Sequence, residues 1–123
     1  MTHASSIDIA EKFSAIHEHW RPKVAAQLNG QDMRLVKIKG AFPWHSHPEA
    51  DEMFIVWKGA FRMEFRDRAV DLAAGQFIVV PRGVEHRPVA DEEAEVMLFE
   101  PSEVVNTGDA PVSAFTAPRG VAV

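Results

Sequence analysis

The chain has 123 residues, of which 46% are hydrophobic and 25% charged, and its 13 basic and 18 acidic side chains give a formal net charge of −5. This length predicts one domain with one core. The acidic balance, with no basic patch, argues against nucleic acid as a partner. Cysteine is absent, which excludes disulfides and thiolate chemistry. No apolar run is long enough to span a membrane, and the N-terminus lacks the features of a signal peptide, so we expect a soluble, cytoplasmic protein without a membrane partner.

The first 22 residues predict an N-terminal arm with one short amphipathic helix between Ile7 and Trp20. Its apolar residues repeat with helical spacing, and they are Ile9, Phe13, Ile16 and Trp20. Ser6 or Asp8 is the candidate N-cap, and Pro22 marks the end of the helix. Histidines two residues apart on a helix point to different sides. We therefore interpret the histidines of this arm as surface residues, namely His3, His17 and His19.

From Lys23 the pattern changes to short apolar strands separated by glycine and proline turns. Asn29-Gly30 between the first two strands predicts a tight hairpin. Val36 and Ile38 alternate with lysines, which predicts that the apolar side chains point inward and the lysines outward. If this alternation continued unbroken, the histidines at positions 45 and 47 would point outward. We therefore expect a bend or bulge between Gly40 and Pro43 that resets the alternation.

The later strands follow at regular spacing up to Glu100. Met53–Trp57 is wholly apolar, which fits a strand buried on both faces or at a subunit contact. An extended piece ending at Ala90 is expected to be followed by an acidic loop over 91–93 and a last strand over 95–99. The pattern predicts an antiparallel all-β sandwich or barrel over residues 23–100. The tail over 101–123 lacks periodicity and is expected to wrap the surface or fray.

Two stretches contain the residues that indicate chemistry. In His45-Ser46-His47 the two imidazoles share one face if the segment is extended, and a carboxylate follows at Glu52. The second stretch places His86 just after the turn Pro81-Arg-Gly83. Three imidazoles and one carboxylate that converge can bind a divalent transition metal. The candidate metal ligands are His45, His47, Glu52 and His86, and the alternative is that these are ordinary core or loop residues.

These stretches resemble the two sequence motifs of the cupin family. The residues that match the first motif are Gly40, His45, His47, Glu52 and Gly59, and those that match the second are Gly75, Pro81, Gly83 and His86. The chain departs from the family pattern at two points. The spacer between Gly40 and His45 is one residue shorter than usual, and Ala90 stands where the second motif often closes with a polar residue.

The resemblance implies a double-stranded β-helix, which is a jelly-roll barrel, with one divalent transition metal ion (Fe, Mn, Ni, Co or Zn) held by the four candidate ligands. It also implies a homodimer and a small-molecule ligand or substrate. Because such a fold carries many activities, it does not select the reaction. We expect a metal-dependent enzyme, of isomerase or dioxygenase type, that acts on a small carbonyl, enol or polyol substrate. The alternative is a non-catalytic, metal-containing protein that binds or senses a small ligand.

The alternating strands also predict what surrounds the site. The side chains expected to point inward and form an apolar pocket, or simply a packed core, are Phe54, Met63, Phe65, Met97 and Phe99. Arg82 is a candidate contact for an anionic substrate or, alternatively, a solvated surface residue. Trp44 is expected to pack behind the segment that carries His45.

Overall fold

The computed structural model describes residues 3–123, so Met1 and Thr2, the first residues of the N-terminus examined for a signal peptide, lie outside the described part. Within this range the chain forms one short helix and seven strands. In chain order they are α1 (Ile9–Ser14), β1 (Lys23–Leu28), β2 (Gln31–Ala41), β3 (Glu52–Lys58), β4 (Ala60–Phe65), β5 (Ala69–Ala73), β6 (Phe77–Val80) and β7 (His86–Pro101). This confirms the all-β fold with a short N-terminal helix. The helix in the described range, α1, is not long and apolar enough to cross a membrane.

Helix α1 is shorter than predicted. Asp8 is its N-cap, as expected, and accepts a hydrogen bond from the backbone N–H of Glu11 at 3.0 Å. The prediction that Trp20 belongs to the same helix is wrong, because Trp20 adopts a φ of +64° and its backbone N–H donates to the carbonyl of Lys37 on β2 at 2.9 Å. Its ring packs on Phe42 with the ring centroids 4.9 Å apart. Tertiary packing thus overrides the helical spacing at this position.

The first two strands form the predicted hairpin. Asn29 and Gly30 have φ values of +51° and +75°, the positive pair that a tight two-residue hairpin turn requires. Strand β2 then pairs with β7, and the register shifts between Ile38 and Gly40. This irregularity precedes the predicted range and leaves the alternation of β2 unchanged, because Phe42 is buried like Val36 and Ile38. The alternation is reset between Phe42 and His45, since His45 is also buried.

Strand β7 is the longest strand and connects the two parts of the barrel. Its first half pairs with β4 and its second half with β3. The prediction of an acidic loop over 91–93 is wrong, because β7 continues through these residues. Ala90 pairs with Gly40 and Ala94 pairs with Ile38, so β7 contains the surplus residues of the bulge at this point. A bulge lets one strand bend from one sheet into the next, which leaves the acidic side chains in solvent without a chain reversal.

The core lies between the sheets, on the inward faces of the strands. Phe54 and Met63 are buried in it at 6% and 0% exposure, as predicted, and Phe65 packs against it. The prediction for Met97 and Phe99 is wrong, since Val96 and Leu98 of the same strand are the inward residues. Met97 packs instead against a second cluster beneath α1. Both faces of β7 carry apolar residues, so the sequence pattern does not reveal which face is inside.

The C-terminal segment, residues 102–123, wraps the barrel rather than fraying. The side chain of Asn106 donates to the carbonyl of Phe115 at 2.8 Å and accepts from the N–H of Ala117 at 2.9 Å. Further on, the carbonyl of Val121 accepts a hydrogen bond from the N–H of Val24 on β1 at 2.7 Å. The segment therefore turns back on itself and packs against Phe42, whose ring centroid lies 5.5 Å from that of Phe115.

Candidate metal site

The four predicted metal ligands lie together inside the barrel. His45 and His47 follow β2, Glu52 begins β3 and His86 begins β7. The backbones of His45 and His86 form an isolated bridge, with N–H to carbonyl distances of 3.1 and 2.9 Å, so the two stretches found in the sequence are joined directly. All four side chains belong to buried residues, and one possible ligand atom from each lies within 4.8 Å of the others.

Three atoms of this cluster have no hydrogen-bond partner among the described residues. They are Nε2 of His47, Oε1 of Glu52 and Nε2 of His86. Both ring nitrogens face the same carboxylate oxygen, at 3.2 Å for His47 and 3.5 Å for His86. A buried polar atom without a partner costs about 1–3 kcal/mol. One divalent ion at the centre of the cluster would satisfy all three atoms, so the residues present fit a metal.

Second hydrogen bonds orient two of the imidazoles. His45 donates through Nδ1 to the carbonyl of Pro43 at 2.9 Å, and His86 donates to that of Val84 at 2.8 Å. Each bond leaves Nε2 as the nitrogen with a free lone pair facing the site. Burial, followed by the charge of His86, lowers the pKa of His45 to about 4. His45 is therefore neutral at pH 7, which is the form that binds a metal.

A charged cluster lies behind Glu52, and the sequence reasoning missed it. The buried guanidinium of Arg34 donates to Asp32 at 3.0 Å and to Glu100 at 2.8 Å. Burial and the adjacent charge of Glu52 raise the pKa of Glu100 well above its usual value. Burial opposes the ionisation of Glu52, but its contacts with Glu100 and the two histidines hold its pKa well below its usual value. Glu100 is thus the carboxyl that carries a proton and Glu52 the one that is ionised.

The alternation of the strands contained a signal for this cluster. Asp32 and Arg34 precede Val36 and Ile38 with the same period of two, and Glu100 follows Leu98 in the same way. Continued in both directions, that period places charged groups inside the barrel. Polar residues at inward positions of a strand are informative because a buried charge is found where it is paired.

An apolar cavity adjoins His45 and Glu52. The residues that line it are Trp20, Pro22, Val36, Ile38, Phe42, His45, Glu52, Phe54, Pro88, Val96, Leu98 and Asn106. Glu52 is the one charged residue in this lining. The free volume of the cavity is about 30 Å³, enough for two or three water molecules. The cavity is therefore nearly filled by its own aromatic walls in this conformation.

Two expected neighbours of the site lie outside the cavity. The Arg82 side chain is 64% exposed and pairs with Asp51, with 3.4 Å between Nε and Oδ1, so the solvated alternative is the one observed. The guanidinium groups of Arg66 and Arg87 lie 4.0 Å and 4.9 Å from the ring centroid of Trp44, and the expected packing of Trp44 behind the segment that carries His45 stays a prediction. The histidines of the N-terminal arm are exposed, as predicted.

Comparison with known proteins identifies the family. The model of the cupin domain matches residues 33–101, which is more than half of the chain and contains all four candidate ligands. The chain belongs to the cupin family. The mostly antiparallel strands of this cupin accordingly form a double-stranded β-helix, as the sequence motifs implied.

Three relatives illustrate the similarity. The uncharacterized protein YdbB of Bacillus subtilis (strain 168) is 35% identical over 86 residues, which are 61% of this cupin and 76% of YdbB. The crystal structure of a cupin-2 domain containing protein from Shewanella frigidimarina NCIMB 400 is similar at 45% identity with a TM-score of 0.77, over 77% of this chain and 93% of that one. The crystal structure of protein NMB1881 from Neisseria meningitidis is similar at 29% identity with a TM-score of 0.73, over 80% and 100% of the two chains. These names state no reaction.

Proposed function

We propose that this cupin is a metal-dependent enzyme that acts on a small carbonyl, enol or polyol substrate, in an isomerase or dioxygenase type of reaction. Its metal is one divalent transition ion, namely Fe, Mn, Ni, Co or Zn, held by His45, His47, Glu52 and His86. The observation that carries the proposal is the group of three buried atoms without partners that face one point. Neutral imidazoles with one carboxylate suit any of these ions.

The chain's own groups have distinct parts in this proposal. A divalent ion at this site would polarise a substrate oxygen or supply redox chemistry. His45 and His86 are locked by their backbone bonds with Nε2 toward the site. Glu52 is the ionised member of its pair with Glu100, so it lowers the net charge of the site and can accept a proton from a bound substrate. Trp20 and Phe42 form an aromatic wall of the cavity beside these ligands.

The lining of the cavity favours a neutral substrate. It contains no cationic side chain to pair with a phosphate or carboxylate, and the ionised Glu52 repels anions. A small molecule with one oxygen beside the ligands and an apolar remainder matches these walls. Because the free space is so small, the rings of Trp20 or Phe42 must move when such a molecule enters.

The alternative function is a non-catalytic, metal-containing protein that binds or senses a small ligand. The observation that favours it is the burial of the site, since His86 is 0%, His45 3% and Glu52 3% exposed. A site that must open before each exchange of ligand suits long retention as well as turnover.

Acetoin, a small neutral hydroxyketone, is a suitable probe to test the proposal and to separate the two functions. We expect acetoin to change the visible absorption spectrum of the cobalt-loaded protein and to exchange its C–H next to the carbonyl for deuterium, measured by proton NMR. Glycerol 3-phosphate is the anionic control and is expected to leave the spectrum unchanged. A spectral change without exchange would favour the binding protein, and a protein that takes up no cobalt would contradict both functions.

We also propose that a second copy of this chain covers the outer face of β3 and β6. Trp57, Phe77 and Val79 are 43%, 62% and 47% exposed there, and β6 is at the edge of its sheet in the described structure. An open edge beside an apolar face favours a partner that supplies both a strand and an apolar surface. A second copy related by two-fold symmetry supplies both at once, because the same patch faces itself.

A further inference from the structure

The pair Gly108-Asp109 of the C-terminal segment lies directly on the loop that carries two candidate ligands. The Asp109 carboxylate accepts one hydrogen bond from the backbone N–H of Ser46 at 2.6 Å and another from its hydroxyl at 2.8 Å. The N–H of Asp109 donates in return to the Ser46 carbonyl at 3.0 Å. Ser46 lies between His45 and His47, so three hydrogen bonds fix the peptide that joins these two side chains.

Gly108 contacts the same loop at closer range. Its φ is +54°, and a Cβ at this position would overlap the Ser46 carbonyl oxygen and lie 3.0 Å from Nδ1 of His47. A side chain there is therefore excluded by space as well as by backbone conformation. No backbone carbonyl accepts from Nδ1 of His47 in residues 3–123, unlike Nδ1 of His45 and His86. Gly108 therefore lies against the one candidate imidazole whose Nδ1 lacks a backbone carbonyl partner among these residues.

Anchors at both sides hold the pair in place. Before it, the Arg34 guanidinium donates to the carbonyls of Ser102 at 3.0 Å and Val104 at 2.8 Å. After it, the side chain of Asn106 binds the backbone of Phe115 and Ala117. The segment therefore returns to the barrel on both sides of Gly108-Asp109, so the contact with Ser46 is part of an ordered structure. It lies beyond residue 101, where the match to the cupin domain ends.

We propose that Gly108-Asp109 is a positioning element of the metal site, in which Asp109 acts through Ser46 to hold His45 and His47 in the geometry that binds the ion. This inference rests on the proposed metal binding. It means that the metal affinity of this chain depends on a segment outside the part that matches the family. Residues that orient metal ligands typically change the affinity by about 10- to 100-fold when they are removed.

The test measures the cobalt dissociation constant by competition with a chelator, together with the visible spectrum of the cobalt-loaded protein. Asp109→Ala removes both carboxylate oxygens, so neither hydrogen bond from Ser46 to this side chain can form. Gly108→Ala displaces the segment through the clash with Ser46. We expect both variants to bind cobalt about 10- to 100-fold more weakly and to show an altered spectrum. Asp67→Asn, at an exposed carboxylate away from the site, controls for the change in net charge and should match the parent.

The outcomes separate this inference from the proposed function. If the parent binds no cobalt, the metal site itself is contradicted. If the parent binds it tightly and both variants keep its dissociation constant and spectrum, the positioning role is overturned while the metal site stands. A lower urea midpoint with unchanged affinity and spectrum would also overturn it, because a purely structural contact changes stability alone. Circular dichroism establishes that each variant is folded, and either variant that folds decides the question.

Discussion

Replacement of Arg34 by alanine is expected to destabilise the protein strongly. The side chain is 3% exposed, forms an ion pair with the buried carboxylate of Asp32 and donates a hydrogen bond to Glu100, which carries a proton. Loss of one partner of a buried ion pair costs about 3–5 kcal/mol, because it leaves an uncompensated charge. Asp32 retains hydrogen bonds from Ser102 at 2.6 Å and Gln27 at 2.9 Å. We therefore expect the lower end of this range, about 3 kcal/mol.

Urea unfolding of the metal-free protein measures this loss. With a slope of about 2 kcal/mol per molar urea, the midpoint of Arg34→Ala should fall by about 1.5 M. Although burial opposes it, hydrogen bonds from Ser102, Gln27 and Arg34 lower the pKa of Asp32. The stability from this carboxylate is therefore present above about pH 4 and lost as the pH falls, so the substitution should cost less at pH 3 than at pH 7. A midpoint shift below about 0.5 M at pH 7 would refute the reasoning.

Three further predictions concern other parts of the molecule. The metal-free protein should lose up to about 3 kcal/mol of stability as the pH falls from about 6.5 to about 4, because folding keeps His45 neutral. Urea titrations at several pH values should show that His45→Gln flattens this dependence. An equal pH dependence of stability in parent and variant would contradict the prediction. Light scattering should show that Phe77→Glu converts a dimer into a monomer. Val112→Glu is the control, at an apolar residue that is 89% exposed, and should leave the dimer intact. A monomeric parent would exclude the dimer. Gly30→Ala should lower the free energy of unfolding by about 1 kcal/mol, since φ is +75° there, and an unchanged urea midpoint would show that the turn tolerates a side chain.

Local patterns in the sequence predict the first hairpin and the four candidate ligands that the structure brings together. Asn29-Gly30 specifies a turn through its own backbone preferences, and the His-x-His spacing places two imidazoles together through the period of an extended chain. A break in the alternation before His45 was predictable because Val36, Ile38 and the histidines had to face inward together, and it lies between Phe42 and His45. Each of these inferences depends on residues close together in the chain.

The remaining features depend on contacts between distant residues or on strands with two apolar faces. Asp109 contacts Ser46, which lies 63 residues earlier in the sequence, and no periodicity of the sequence indicates such a contact. Met97 was assigned to the wrong face of β7 because its outer face packs beneath α1 and is as apolar as its inner face. Arg34 is an intermediate case, since the alternation of β2 already placed it inside while its partner Glu100 belongs to another strand.

Elemental analysis of the untagged protein, purified without chelator, tests the central claim most directly. We predict about one equivalent of Fe, Mn, Ni, Co or Zn per chain, and loss of most of it in His47→Ala while the β-sheet circular dichroism is kept. His47 is suited to this test because its Nε2 is one of the buried atoms without a partner. A parent protein that contains no metal even after reconstitution, or a variant that contains as much as the parent, would contradict the account.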